Sequence, residues 1–328
     1  MKPARALRFP ERPAAQNPGV PFDRDAVLAL RVNRSAVERR AATIPTRRTV
    51  KQQWQAAWLL RAITCLDLTT LQGDDTPGTV QRLCAKARRP VRDDLLHGLG
   101  VADLDLRVGA VCVYHALVPV AVRALEGSGI PVAAVSAGFP AALNPLPERL
   151  SEIEASLAAG AREIDIVITR AHVLTGAWEA LYDEVRACRE ACGGALMKVI
   201  LATGELATLT NVARASRVAL MAGADFIKTS TGKEAVNATL PVGVVMARAI
   251  RAYQEETGWA VGFKAAGGIR AARAALDWLI LMKEELGDRW LRSALFRLGA
   301  STLLGDIERQ LEHFATGRYS AAYRHPMV

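Results

Sequence analysis

Several features are scarce or missing in this sequence, and each absence narrows its function. No apolar run is long enough to cross a bilayer, so no membrane-spanning helix and no membrane partner are expected. The first residues carry charges and prolines where a secretory signal needs an apolar stretch. Cysteine is sparse: Cys65, Cys84, Cys112, Cys188 and Cys192 form an odd set without CxxC spacing. They read as free thiols of a reducing compartment, and a cytoplasmic location is expected. His97, His115, His172, His313 and His325 show neither HxH nor HxxxH spacing, and no cysteine joins them in a ligand pattern. No metal and no other cofactor is therefore expected.

Charge of one sign is concentrated rather than spread. The formal net charge is +9, and residues 1–61 alone hold 13 Lys+Arg against 4 Asp+Glu. The rest of the chain is neutral, so nucleic acid is not the expected partner of its body. Residues 1–49 read as a basic extension, partly helical or flexible, with one helix over 23–41. Asp23, Asp25 and Glu38 interrupt what would otherwise suit a transit peptide. Trp54, Trp58, Leu59 and Ile63 then recur at helical spacing, which suits a helix closing one end of a domain.

From there short apolar or β-branched runs alternate with amphipathic stretches. The runs cover 63–69, 108–114, 132–138, 163–168, 196–201, 225–230, 260–266 and 295–301, with helical patterns at 148–161, 179–192, 206–224 and 271–286. Eight strand–helix units predict an α/β fold, a parallel (β/α)8 TIM barrel over residues 50–315 with a tail at 316–328. The competing architecture, an open doubly wound sheet, would carry a GxGxxG turn after its first strand, and none is present.

Few polar residues interrupt these strands: Asp67, Asp165, Lys198, Lys228 and Lys264. Any one of them could face the helical layer and pair locally. Five on five strands point instead to the inside of the barrel. Gathered lysines repel one another, and desolvation further disfavours the ammonium, so one of them titrates low. A neutral lysine attacks carbonyls, and the protonated imine is an electron sink for making or breaking an adjacent C–C bond. A nearby aspartate can move the protons. Gly267 and Gly268 after the seventh strand, Ser301 and Thr302 after the eighth, and Gly232 with Lys233 after the sixth suit a phosphate group.

These same segments, DLTTL (67–71), EIDIV (163–167), KVILATGEL (198–206), DFIKTSTGK (225–233), VGFKAAGGIR (261–270) and GASTLL (299–304), resemble the deoxyribose-phosphate aldolase family, nearest to its longer animal-type form. The resemblance implies a class I aldolase that reversibly cleaves 2-deoxy-D-ribose 5-phosphate to D-glyceraldehyde 3-phosphate and acetaldehyde, in deoxyribonucleoside catabolism. It assigns the imine to Lys228, the lysine that lowers its pKa to Lys264 and the proton relay to Asp165. Phosphate binding falls to Gly232, Lys233, Gly267, Gly268, Ser301 and Thr302, with Asp67, Thr69 and Lys198 as supporting or substrate-hydroxyl partners. A tyrosine of the C-terminal tail assists proton transfer in some members, which maps to Tyr323 or else Tyr319, and a homodimer is expected from the family.

Two positions depart from the family pattern. Ala265 replaces the usual proline after the second lysine, which predicts a looser turn beside Lys264, and His115 stands where proline is usual, near the pocket rim. Cys112, at the end of the second strand, reads as a buried thiol that could instead line the pocket. The alternative reading is a non-catalytic barrel that binds RNA or anionic surfaces through RRAATIPTRRTVK (39–51), although that stretch lacks interleaved aromatics.

Overall fold

The computed structural model describes residues 16–325. Its strands are β1 Leu66–Thr69, β2 Ala110–Tyr114, β3 Val132–Val135, β4 Glu163–Val167, β5 Leu196–Ile200, β6 Phe226–Lys228, β7 Gly262–Ala266 and β8 Phe296–Ala300. Each pairs in parallel with its sequence neighbour, and β8 returns to β1, so the sheet closes into an eight-stranded barrel. Every strand lies within a run marked by the sequence. The strands read as nearly continuous apolar runs because helices cover their outer face while the barrel interior covers the other.

Among the described residues three α-helices precede β1: α1 Arg24–Ala29, α2 Arg34–Thr43 and α3 Gln52–Thr64. The outer ring comprises α4 Pro77–Arg88, α5 Asp93–Gly98, α6 Val118–Ala124, α7 Leu146–Ala158, α8 Arg170–Leu174, α9 Trp178–Cys192, α10 Leu209–Met221, α11 Leu240–Thr257, α12 Ala272–Leu286 and α13 Leu303–Thr316. Local sequence sets their limits. The Thr76 side chain caps α4 at the Thr79 amide with Pro77 at the first turn, and Thr208 caps α10 at the Asn211 amide. Val212, Ala215 and Ala219 then fall on one buried face of α10.

Three expectations need correction. The single helix over 23–41 is two helices, because Asn33 accepts a hydrogen bond from the Ala36 amide (3.0 Å) and starts a new one. Helix α3 does not close an end of the barrel but packs against α12 and α13 in the outer layer. The described part of the extension is not a free arm. Asn17 is buried, donates to the carbonyls of Leu220 (2.9 Å) and Ala224 (3.0 Å), and accepts from the Tyr253 hydroxyl (2.9 Å).

The basic stretch 39–51 is likewise occupied. Arg40 pairs with Glu285 (2.6 Å), while Arg47 (3.6 Å) and Arg48 (2.6 Å) pair with Glu284, both acids on α12. These cations are spent on the barrel wall. Residues 1–15 of the basic extension lie outside the described residues, and among the described ones no helix is long and apolar enough to cross a membrane.

Candidate active site

The charged part of the barrel interior is built by side chains that point inward from six of the eight strands. Period-two alternation places Glu163 and Asp165 of β4 on the same inner face. Register sets Lys198 opposite Asp165, and Lys264 opposite both Lys228 and Arg297. The result is one buried ionic network. Asp165 Oδ2 accepts from Lys228 Nζ (2.8 Å) and Lys264 Nζ (2.7 Å), and its Oδ1 accepts from Lys198 Nζ (2.8 Å). Asp67 Oδ2 accepts from Lys264 Nζ (2.5 Å), and Lys198 also reaches Glu163 (2.6 Å). Arg297 joins Asp67 to Glu163, the latter at 2.9 Å.

All seven groups are buried, yet they do not share one protonation tendency. Burial pushes the Lys228 amine below its ordinary value; Asp165 opposes this, and the charge of Lys264 adds to it. Burial works against Lys264 and Lys198 as well, but Lys264 faces two carboxylates and Lys198 three, and these hold both protonated, above the ordinary lysine value. Burial would raise Asp165 and Asp67, but the surrounding lysines, with Arg297 beside Asp67, hold both well below the usual carboxylate range. Three lysines at one centre are thus split: two fixed ammoniums and one amine pressed towards neutrality. The charge of Lys264 lies on the lowering side for Lys228, and burial is the larger cause.

Lys228 opens onto a cavity of about 190 Å³. Its lining includes Gly232, Lys233, Gly267, Gly268 and Ser301, five of the six residues expected to hold phosphate, together with Thr69 and Arg270. Thr302 is not in that lining; it is exposed and precedes α13. The backbone N–H of Gly232 is already taken, because the buried carboxylate of Glu234 accepts from it (3.1 Å) as well as from the Thr231 amide and hydroxyl. Gly267 has φ +86°, and a Cβ there would lie 2.5–2.6 Å from Asn237, so only glycine fits. Thr69 donates to the Asp67 carbonyl (2.7 Å) and thereby steadies the loop that leaves β1.

On the other side the interior is apolar. Leu71, Cys112, Ala133 and Val135 pack together with Tyr114 and Phe139, and burial pushes the Cys112 thiol up. His115 hydrogen-bonds Ser156 (3.0 Å) on α7. Ala265 sits in regular β7 pairing opposite Leu298, so the missing proline does not loosen a turn beside Lys264.

The tail is corrected as well. Residues 320–325 fold along α13, where His325 pairs with Glu312 (2.7 Å) and Ser320 (2.8 Å). Tyr323 is 83% exposed and Tyr319 stacks on His313, so the structure brings neither to the lysines. Two network members escaped the sequence reading, Glu163 and Arg297. Their spacing of two from Asp165 and Gly299 was the available signal.

Comparison with known proteins bears on the fold and the family. Residues 61–303 match the family described as DeoC/LacD family aldolase. Over 316 residues the chain is 59% identical to human deoxyribose-phosphate aldolase and 58% identical to the mouse protein, covering 96% of this chain and 99% of each relative. The solved deoxyribose phosphate aldolase of Aeropyrum pernix, described as a unique tetramer, superposes with a TM-score of 0.58 at 23% identity, covering 80% of this chain and 98% of that one. That likeness carries the fold. The family match and the near-full-length identities carry more, and this chain belongs to the DeoC/LacD family of aldolases.

Proposed function

We infer that this protein reversibly cleaves 2-deoxy-D-ribose 5-phosphate to D-glyceraldehyde 3-phosphate and acetaldehyde through an imine on Lys228. The observation that carries the reading is the split among the lysines: the one amine pressed towards neutrality is the one that lines the cavity. In the cleavage direction Lys228 Nζ adds to the C1 aldehyde of the open-chain sugar, and the carbinolamine loses water to give the iminium. Removal of the C3 hydroxyl proton breaks the C2–C3 bond, releases glyceraldehyde 3-phosphate and leaves the enamine. Protonation at C2 and hydrolysis then free acetaldehyde and the lysine.

Asp165, held as a carboxylate, acts as base and passes protons between Lys228 and the ammonium of Lys264, which share its Oδ2. The phosphate is assigned to the rim where Lys233 and Arg270 supply charge and Gly267, Gly268 and Ser301 supply small polar surfaces. The apolar side, with Leu71 lining the same cavity as Lys228, suits the two-carbon fragment and excludes water from the enamine. Binding RNA through the basic segment draws no support, because Arg40, Arg47 and Arg48 are committed to Glu284 and Glu285.

The test is trapping with acetaldehyde and borohydride followed by peptide mass mapping. An ethyl group on Lys228 is expected, absent in Lys228→Ala, whose turnover should fall by at least about 1,000-fold. Activity of a few per cent in that variant, or an adduct only elsewhere, would remove Lys228 from the mechanism.

A further inference from the structure

The buried network holds one more cation than it holds anions. Lys198, Lys228, Lys264 and Arg297 face Asp67, Glu163 and Asp165. The remaining strands, β2 and β3, present Cys112, Ala133 and Val135, which bring no compensating charge. Beyond the network, Lys233 and Arg270 stand at the rim of the cavity, and Glu234 there is engaged by Thr231 and Gly232. At the opposite mouth a second cavity, of about 590 Å³, is lined by Arg107, Arg162 and Asp105, and Arg297 and Glu163 form its inner wall. Arg107 is paired there with Asp105.

An unmatched charge in a dry interior is costly, and the imbalance is relieved when one cation gives up its proton. Arg297 does not, since a guanidinium stays protonated in proteins. Lys198 pairs with Glu163, Asp165 and, at 3.7 Å, Asp67, and Lys264 pairs with Asp67 and Asp165. Among the described residues Lys228 has Asp165 alone, on an oxygen shared with Lys264. It is the group with least to lose. Without Arg297, three carboxylates would match three lysines, and Lys228 would keep its proton.

We propose that Arg297 is a positioning residue for the imine-forming lysine: by claiming Asp67 and Glu163 from the far end of the barrel, its fixed charge leaves Lys228 as the amine without a proton. Its placement is specific. The guanidinium lies 5.9 Å from the centre of the Phe226 ring, and a Cβ at Gly109 would press to 3.3 Å from its Cδ. It lines the mouth opposite the substrate cavity, so it acts through its partners and not by contact with substrate.

The proposal rests on the imine reading of Lys228, and one experiment separates the two. The initial rate of Lys228 ethylation by acetaldehyde and cyanoborohydride is followed against pH by peptide mass analysis. Absence of the wild-type adduct would count against the imine itself. Given the adduct, Arg297→Met should move the acidic limb of the profile up by on the order of one pH unit, and Glu163→Gln should move it down. Arg297→Lys, which keeps the charge, and the double variant Arg297→Met/Glu163→Gln, which removes one charge of each sign, should both return it close to wild type.

Loss of packing alone would shift neither limb, or would shift both alike; either pattern overturns the proposal. So does a limb in Arg297→Lys displaced as far as in Arg297→Met. If Arg297→Met alone does not fold, the step from Glu163→Gln to the double variant reports the same charge, and it must be upward.

Discussion

Replacing Lys264 with methionine tests the electrostatics of the site most directly. Its Nζ lies 2.7 Å from Asp165 Oδ2, and Lys228 Nζ lies 2.8 Å from the same oxygen, so the two nitrogens are no more than 5.5 Å apart, the sum of those distances. Two unit charges at that separation repel by about 3 kcal/mol at an effective dielectric near 20. That corresponds to about 2 pKa units. In Lys264→Met the repulsion disappears and Asp165 is left to Lys228 and Lys198, so both changes favour the Lys228 ammonium. Its pKa should rise by about 2 units, while burial, the largest cause of the lowering, remains.

The sign is definite. Only the neutral amine adds to the aldehyde, so activity is lost as pH falls through the Lys228 pKa, and raising that pKa moves the loss to higher pH. The assay is kcat/KM for cleavage, followed by coupled reduction of the triose product, across the pH range. At pH values below both limbs the variant should be slower by about 100-fold from this cause alone. Loss of Lys264 as a proton source would add a drop that does not depend on pH. A variant slowed equally at every pH, with its acidic limb unmoved, would refute the electrostatic argument and leave Lys264 as a proton donor only.

Three further outcomes are expected. Lys233→Ala should raise KM for the phosphorylated sugar by about tenfold, with little change in kcat and none for unphosphorylated deoxyribose; an unchanged KM would move the phosphate away from this rim. Gly267→Ala should cost about 1–3 kcal/mol, from its positive φ and the clash with Asn237, read as a lowered melting temperature; an unchanged melting temperature would contradict the tight turn. Asn17→Ala strips buried carbonyls and the Tyr253 hydroxyl of their partners, and should destabilise the whole barrel by about 2–4 kcal/mol; a loss confined to fraying of the first residues would show that the extension is not part of the fold.

The barrel was legible because parallel strands buried on both faces leave dense apolar runs, and Asp165, Lys198, Lys228 and Lys264 stand out within them. Glu163 and Arg297 did not stand out. Each lies near the start of its strand, where a charge reads as an ordinary flank, and only the alternation with Asp165 and Gly299 turns it inward. The path of the extension was hidden for another reason. Local composition favours helix around 23–41, but the docking of Asn17 and Arg40 depends on groups more than 200 residues away. The commitment of the Gly232 amide to Glu234 is likewise a choice among competing acceptors that a motif does not record.

The surplus cation has a second effect, on the fate of the intermediate. Once Lys228 has become a protonated imine it carries a positive charge, and the interior that was neutral with the free amine is again one charge in excess. Among the described residues Asp165 is the only carboxylate paired with that nitrogen, and Lys264 shares it. The covalent cation is therefore held in surroundings that favour its discharge. Breaking the C2–C3 bond does this, because the electron pair of that bond flows to nitrogen and leaves a neutral enamine. The same imbalance that prepares the nucleophile thus drives electrons towards it in the bond-breaking step, and it resists the build-up of protonated imine between turnovers.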